Sequence, residues 1–183
     1  MLIRTAIPSD VEAIARVHVA TWKQAYSHIL PAEFLAKLPV EKRRSMWAKS
    51  VAEDLPHVLV AELDGEVVGF SAIGPCRDEG SSSSDFEIWA IYLSPSHWSL
   101  GLGRELWEAS RTVAANRGAS SVSLWVFADN ERAIRFYQKA GFTVDNGSRK
   151  TFEFGGIQLQ EVRCVRRLDG EPAIERPCPG KPG

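Results

Sequence analysis

Residues 93–104 contain the residue types best suited to binding a phosphate group. The chain passes from the end of an apolar stretch through Gly101 and Gly103 into a stretch with helical spacing. Glycine has no Cβ atom, so an anion can approach its backbone closely. The first N–H groups of a helix lack partners and carry partial positive charge, to which Arg104 adds a formal charge. The segment predicts a phosphate-binding turn, although the same glycines would also suit a tight turn without a ligand.

Two well-known nucleotide motifs do not fit this turn. A Rossmann dinucleotide motif needs a small residue three positions after its second glycine, where Leu106 stands here. A P-loop continues from its last glycine with Lys and Ser or Thr, whereas Gly103 is followed by Arg104 and Glu105. A Gly-x-Ser-x-Gly nucleophile elbow is also absent from the sequence. An anion site at this turn would therefore belong to another class.

The elements that must position the turn predict one α/β domain. Residues 86–93 are apolar on both faces except at Glu87, which predicts a central, buried strand. Asp129 or Asn130 has the character of a helix cap, and Gly141 ends that helix. The order β-α-α-β-β-β-α-β-α-β-β predicts a mixed, mostly antiparallel sheet flanked by helices. The predicted strands cover residues 2–5, 57–63, 66–73, 86–93, 122–127, 142–154 and 157–167.

Two helical stretches are predicted between the first and second strands. Ser9 and Glu12 have the spacing of a capping box, so the first helix is expected to begin there. The second stretch is interrupted by Pro31 and Pro39 and is expected to end near Ala52.

Length, composition and charge limit the function classes. The 183 residues suffice for one domain, and the net charge of −1 gives no reason to expect a nucleic acid or an anionic membrane as partner. No apolar run reaches the roughly 20 residues of a membrane span, and the N-terminus lacks a signal-peptide pattern, so we expect a cytoplasmic protein. We assign residues 1–168 to the domain and expect residues 169–183, rich in Pro and Gly, to be a disordered tail.

Cysteine and histidine spacing predicts neither a disulfide framework nor a metal site. The three cysteines are widely separated and form no C-x-x-C pair. The four histidines are also scattered. These residues are Cys76, Cys164, Cys178, His18, His28, His57 and His97.

Three segments together resemble the Gcn5-related N-acetyltransferases (GNAT). They are EIWAIYLSP at residues 87–95, GLGREL at 101–106 and DNERAIRFYQKAGF at 129–142. The glycine turn, the later asparagine and the Phe-Tyr-x-x-x-Gly-Phe stretch occur in the family's order, and the order of elements matches across nearly all of residues 1–168.

The resemblance implies acetyl-CoA as the acyl-donor cosubstrate, and the scattered cysteines and histidines predict no metal. Backbone groups of Ile91, Tyr92 and Leu93 would hold the pantetheine arm in the manner of an added strand, and Asn130 would bind it as well. Trp98 stands where the family often has Gln or Arg, so it would pack beside the cofactor without supplying a polar contact. The amides expected to hold the pyrophosphate are those of Ser99, Leu100, Gly101, Leu102, Gly103 and Arg104.

The resemblance also implies that Tyr137 is the general acid that protonates the departing sulfur, although an aromatic core role is the alternative. Glu87 is our candidate general base, because burial in an apolar strand would raise its pKa towards neutrality. The alternatives for Glu87 are orientation of a cationic substrate or a salt bridge at the rim. Trp125 stands where some members carry a glutamate base, which leaves Glu87 or an ordered water. A backbone N–H near Ile91 would stabilise the oxyanion.

Aromatic residues in the first helix and the central strands are candidates for binding the acceptor. They are Trp22, Tyr26, Trp89 and Trp125, with ordinary core packing as the alternative. Aromatic walls together with Glu87 suit an amine with an apolar body. The resulting hypothesis is transfer of an acetyl group to a primary amine of a small molecule or peptide through a ternary complex. A non-catalytic module that binds or senses acyl-CoA is the alternative, and a homodimer is a family expectation.

Overall fold

The computed structural model describes residues 1–154 and 156–168. The predicted tail, residues 169–183, lies outside the described residues. The strands are β1 (Leu2–Thr5), β2 (His57–Leu63), β3 (Glu66–Pro75), β4 (Asp85–Leu93), β5 (Ser121–Phe127), β6 (Thr143–Phe154) and β7 (Ile157–Arg167). The α-helices are α1 (Val11–Ala25), α2 (Ala32–Ala36), α3 (Val40–Glu53), α4 (Leu102–Asn116) and α5 (Glu131–Lys139).

The described strands form one seven-stranded sheet in the order β1-β2-β3-β4-β5-β7-β6. Every neighbouring pair is antiparallel except β4 and β5, which run parallel. This confirms the predicted mixed, mostly antiparallel sheet flanked by helices. The parallel pairing covers only Asp85, Phe86 and Glu87 of β4, opposite Ser121, Val122 and Ser123 of β5. Beyond these residues the two strands separate, and the sheet opens between them.

Helices cover both faces of the sheet, which explains why its central strands are apolar on both sides. On β2, Val58 and Val60 pack with α1 and α3, whereas the intervening Leu59 and Ala61 pack with α4. Successive side chains of a strand point to opposite faces, so one strand contributes to two separate cores. The register between β3 and β4 shifts by one residue at Trp89. The consecutive residues Ala72 and Ile73 of β3 pair with Ala90 and Ile88, so Trp89 has no partner on β3 and the alternation of side chains along β4 changes there.

The first helix begins differently from the sequence prediction. It starts at Val11 after a short 3-10 turn, and Asp10 occupies the N-cap position without a side-chain cap bond. The Asp10 carboxylate instead accepts hydrogen bonds from the Ile7 N–H and the Arg4 guanidinium. The predicted capping box of Ser9 and Glu12 is therefore wrong, because the ion pair between Arg4 and Asp10 fixes the chain one residue later.

His18 joins α1 to α3 and to the sheet. It is 5% exposed, and its Nδ1 accepts a hydrogen bond of 3.0 Å from Trp47 Nε1. Since an indole nitrogen can only donate, the imidazole must be neutral with its proton on Nε2. No acceptor for Nε2 exists among the described residues. Burial lowers the pKa of His18 to about 3, and the positive charge of Arg43 acts in the same direction.

This depressed pKa predicts a loss of stability in mild acid. The unfolded chain protonates His18 below its ordinary pKa of 6.5 and the folded chain does not, so protons favour unfolding between pH 6.5 and 3. From pH 7.5 to 5 this contributes a loss of about 2 kcal/mol in the free energy of unfolding. Urea unfolding at both pH values should show a smaller loss for His18→Gln than for the wild type. Equal losses in the two proteins would contradict this account.

Candidate functional site

The opening between β4 and β5 is part of a cleft of about 1430 Å³ that crosses the sheet. One end is lined by the glycine turn and the start of α5, and the other by charged residues near the separation point of the strands. All four predicted acceptor-binding aromatics, Trp22, Tyr26, Trp89 and Trp125, line this cleft, as do Glu87, Tyr137 and Asn130. The fold thus brings together residues that are more than 100 positions apart.

Gly101 and Gly103 serve different purposes in the turn. Gly101 has a φ of +84°, and a Cβ added there would meet nothing within 4 Å. A Cβ on Gly103 would lie 3.3 Å from Phe136 and 3.4 Å from Leu93, so this glycine lets α4 pack closely. The Arg104 N–H donates to Gly101 O. The N–H groups before it stand at the start of the helix, where no helical carbonyl precedes them to act as acceptor. The open space lies at Gly101, where an anion would need it.

The edge of β4 that faces the cleft carries backbone groups of Ile91 and Leu93. The Ser94 N–H donates to Val68 O of β3, and alternation along an antiparallel strand turns the Tyr92 backbone the same way. Ile91 and Leu93 therefore face away from β3. The Leu93 carbonyl already accepts hydrogen bonds of 2.8 Å from Thr21 Oγ1 and Trp98 Nε1. Of the predicted pantetheine-binding backbone, Ile91 and the Leu93 N–H are placed to bind a ligand.

Trp98 ties the turn to β4 and to the next helix. Besides its bond to Leu93 O, its ring lies 4.0 Å from the Arg132 guanidinium carbon. Arg132 Nη2 is 3.5 Å from Ser99 Oγ. The tryptophan thus holds a cation beside the turn at the position where the family often has a polar side chain. Arg104, Arg135 and Lys139 also line this end of the cleft, which gives it the charge an anionic ligand requires.

Asn130 and Tyr137 are presented by α5. The Asn130 side-chain oxygen accepts a hydrogen bond of 3.2 Å from the Ala133 N–H, which caps the helix and leaves the amide NH₂ to donate elsewhere. Tyr137 packs against Phe136 and Phe142, yet it also lines the cleft. Burial raises the pKa of Tyr137 above its ordinary value of 10.0. Its phenol is therefore protonated at neutral pH.

Glu87 is buried and bound by Arg77. One of its oxygens accepts hydrogen bonds from the Arg77 backbone N–H at 3.0 Å and from Nε at 3.1 Å. The other accepts from Nη2 of the same residue. The Arg77 guanidinium stacks 4.3 Å from the Trp89 ring centroid. The structure thus contains the salt bridge that was the alternative interpretation of Glu87, and its predicted role as base stays a prediction.

A second charged group surrounds Trp125. Its Nε1 donates to both oxygens of Asp78, at 3.0 and 3.2 Å. Lys150 Nζ lies 3.7 Å from the Trp125 ring centroid and 2.9 Å from Asp78 Oδ1. Arg163 completes the group at 3.1 Å from Asp78 Oδ2. The loop between β3 and β4 thereby places charges on both sides of the opening.

Trp22 and Tyr26 form the aromatic wall on the helical side. Their rings meet edge to face at 5.1 Å, and Tyr26 packs against Phe127 of β5 at 4.9 Å. The Arg43 guanidinium carbon is 5.1 Å from the Trp22 ring centroid. Burial raises the pKa of Tyr26 well above its ordinary value. Both residues therefore pack in a core and line the cleft at once.

Glu161 is a cleft residue that the sequence analysis missed. It lies on β7 opposite Phe127 and Lys150, and no described residue forms a hydrogen bond or ion pair with its carboxylate. Burial is the main cause that raises its pKa, with Glu87 adding to the rise and Lys150 and Arg77 opposing it. The signal was present in the alternation along β7, since Glu161 follows Ile157 and Leu159 at two-residue spacing.

The sequence matches one protein family over more than half of its length. A profile of the Acetyltransferase (GNAT) family matches residues 19–142. The chain belongs to the GNAT family. An uncharacterized N-acetyltransferase of Bacillus subtilis, YuaI, is 33% identical over 161 residues, which cover 87% of this chain and 89% of that protein. An uncharacterized N-acetyltransferase of Archaeoglobus fulgidus is 33% identical over 141 residues, covering 75% and 89% respectively.

Solved GNAT structures share the fold. YncA of Salmonella typhimurium, a putative acetyltransferase solved with acetyl-CoA, superposes with a TM-score of 0.71 at 26% identity, and the match covers 98% of each chain. The PaiA N-acetyltransferase of Thermoplasma acidophilum, solved with coenzyme A, gives 0.74 at 20% identity over 91% of this chain and 98% of that one. The second likeness concerns the fold alone.

Residues 1–154 and 156–168 contain neither a membrane-spanning helix nor a cluster of metal-binding side chains. No helix in that part of the chain is both long enough and apolar enough to cross a bilayer. No group of three or more His, Cys, Asp or Glu side chains is placed there to hold a metal ion.

The contact between Arg77 and Glu87 predicts unequal effects of its two partners on stability. The Glu87 side chain is 2% exposed and that of Arg77 is 54% exposed. Arg77→Met would leave a buried carboxylate without its counter-ion and should lower the free energy of unfolding by about 3 kcal/mol. Glu87→Gln leaves a guanidinium that water can reach and an amide oxygen that still accepts from the Arg77 backbone N–H and Nε, but it loses the acceptor for Nη2, so it should cost about 1–2 kcal/mol. Urea unfolding at pH 7.5 measures the loss of stability in both variants. Equal losses would contradict the conclusion that Glu87 is the buried partner and Arg77 the exposed one.

Proposed function

We propose that this GNAT-family protein transfers an acetyl group from acetyl-CoA to a primary amine of a small molecule or peptide, with both substrates bound at once. The observation that carries the proposal is the continuous cleft between β4 and β5. It joins a cationic turn with an open glycine to an aromatic, carboxylate-lined end, and Tyr137 lies along it. Direct transfer requires two substrates to meet in one such passage.

The residues of the turn and of β4 fit the donor. The open space at Gly101 and the nearby cations suit the phosphates, and Ile91 with the Leu93 N–H offers a free strand edge to the amide groups of pantetheine. The Asn130 NH₂ supplies a further donor. Acetyl-CoA, as cosubstrate, supplies the thioester that the amine attacks.

The acceptor must lose a proton before it attacks. An alkylammonium with a pKa near 10.4 gives up that proton at pH 7 only at a cost of about 4–5 kcal/mol, which a general base reduces. Glu161 takes this role, directly or through a water, because its carboxylate is unpaired and its pKa is raised. We assign the base to Glu161 in preference to Glu87, the candidate from the sequence, because both Glu87 oxygens accept hydrogen bonds from Arg77 and Glu87 thereby holds that arginine in place.

The remaining steps use Tyr137 and the central strand. As the amine nitrogen bonds to the acetyl carbon and the carbon–sulfur bond breaks, the Tyr137 phenol donates its proton to the departing sulfur. The proton that the nitrogen loses on becoming an amide restores the phenol. Its raised pKa keeps that proton in place until negative charge develops on the sulfur. The Ile91 N–H, on the cleft side of β4, stabilises the oxyanion.

Tyr137→Phe tests the proposal with little change in packing, because the phenyl ring retains its contacts with Phe136 and Phe142. We expect kcat to fall about 100-fold while acetyl-CoA affinity stays within about twofold. The assay follows release of the CoA thiol across a panel of primary amines. Near-full turnover in the variant would remove Tyr137 from the mechanism. Tight binding of CoA without turnover on any amine would instead favour the acyl-CoA-sensing module.

Gly101→Ala tests the binding turn, with Gly65→Ala as its matched control. Both glycines have a positive φ, +84° and +83°, and an added Cβ meets nothing within 4 Å at either position. Each substitution should cost about 1 kcal/mol of stability through backbone strain. Only Gly101→Ala should also raise the Kd for CoA, by about tenfold or more in calorimetric titration. A similar Kd for both variants would contradict the proposed phosphate site.

A further inference from the structure

At the acceptor end of the cleft, the negatively charged side chains lie deeper than the positively charged ones. Glu87 and Glu161 lie inside, with the Glu87 side chain 2% exposed and Glu161 partly buried. Arg77 and Lys150 lie at the entrance, with side chains 54% and 52% exposed. Asp78 lies between them, bound to Lys150, Arg163 and Trp125. A molecule that enters here meets positive charge first and negative charge further in.

The inner carboxylate of Glu161 is available to a substrate. Lys150 is its direct neighbour across the β6–β7 pair, yet the Lys150 ammonium bonds to Asp78 at 2.9 Å. Within residues 1–154 and 156–168, the Glu161 carboxylate accepts no hydrogen bond and forms no ion pair. A partly buried carboxylate that still lacks a counter-ion is suited to an ammonium group brought by a ligand.

The outer cations, which we call the cationic rim (Arg77 and Lys150), retain unused donors. Arg77 gives its backbone N–H, Nε and Nη2 to Glu87. Its Nη1 has no acceptor in the part of the chain that the structure describes. The Lys150 ammonium donates one hydrogen bond, to Asp78. Each cation is held on a tryptophan ring, at 4.3 Å from Trp89 and 3.7 Å from Trp125, so the rim is fixed in position.

We propose that the acceptor is a small primary amine with an anionic group beside the amine, as in an amino acid. Glu161 faces the ammonium, the cationic rim faces the anion, and the aromatic wall of Trp22 and Tyr26 contacts the apolar body. This inference rests on the proposed function. A polyamine fits poorly, because its second ammonium would meet Arg77 and Lys150. A neutral amine leaves the rim without a partner.

The test compares acceptors that differ only in the anion. The panel contains the common L-amino acids, β-alanine and 4-aminobutyrate, aminoalkyl phosphonates, the matching carboxamides or uncharged amines, and spermidine. CoA-thiol release gives kcat/KM for each, and calorimetry gives acceptor binding to the CoA-loaded protein. We expect at least one anionic amine to exceed its uncharged counterpart by about tenfold or more, and to exceed spermidine.

Two variants and one control separate the parts of the site. Lys150→Met retains an unbranched chain over Trp125 and should reduce the ratio of kcat/KM for the anionic acceptor to its uncharged counterpart by about tenfold. Glu161→Gln should lower kcat and remove the acid limb from the pH profile of kcat/KM, because kcat/KM rises as Glu161 of the free protein deprotonates through its raised pKa. Lys49→Met, on the exposed surface of α3, removes a lysine without changing that ratio.

The outcomes distinguish this inference from the proposed function. Turnover of uncharged amines or spermidine in preference to every anionic amine overturns the inference and leaves the acetyltransferase function standing. The same holds if Lys150→Met leaves the ratio unchanged. Saturable binding of anionic amines without turnover of any amine overturns the proposed function, and it supports only the part of the inference that assigns this end of the cleft to binding such amines. Absence of both binding and turnover overturns the two together.

Discussion

The short parallel pairing between β4 and β5 is the constraint on which the site depends. The strands pair over three residues on each side and then separate. A sheet that remained paired would use the backbone groups of Ile91 and Leu93 internally and would leave no passage between its faces. Separation exposes a polar strand edge in the middle of the domain. Such an edge is tolerated only where water or a ligand can reach it.

Packing around the opening keeps this edge in place without closing it. Thr21 from α1 and Trp98 from the glycine turn both donate to the Leu93 carbonyl, so helix and turn are fixed to the same atom. On the same side of the sheet, His18 and Trp47 join α1 to α3 through a buried hydrogen bond. The end of α5 that carries Asn130 is capped by that residue itself. The groups that line the cleft are thus also the groups that hold its walls.

Tryptophan and cation pairs give the cleft its electrostatic character. Trp22, Trp89, Trp98 and Trp125 each have an arginine or lysine over the ring. From the sequence, aromatic walls together with Glu87 predict a site that suits an amine with an apolar body. In the folded protein these ring faces already contact cations of the chain itself. The negative charge offered to an amine therefore comes from carboxylates, and the rings mainly position the cations.

Local patterns in the sequence determined the order of elements, the central position of β4, the glycine turn and the family resemblance. Each of these depends on contiguous residues: alternation along a strand, a helix cap, or a glycine at a required φ. The start of α1 was predicted wrongly because Arg4, which binds Asp10, acts across the first turn. Tertiary structure alone decided that Arg77 binds both oxygens of Glu87, that Lys150 turns to Asp78, and that Glu161 is left unpaired. Counter-ions are chosen by distance in space, and a one-residue phase change such as that at Trp89 alters which side chains meet.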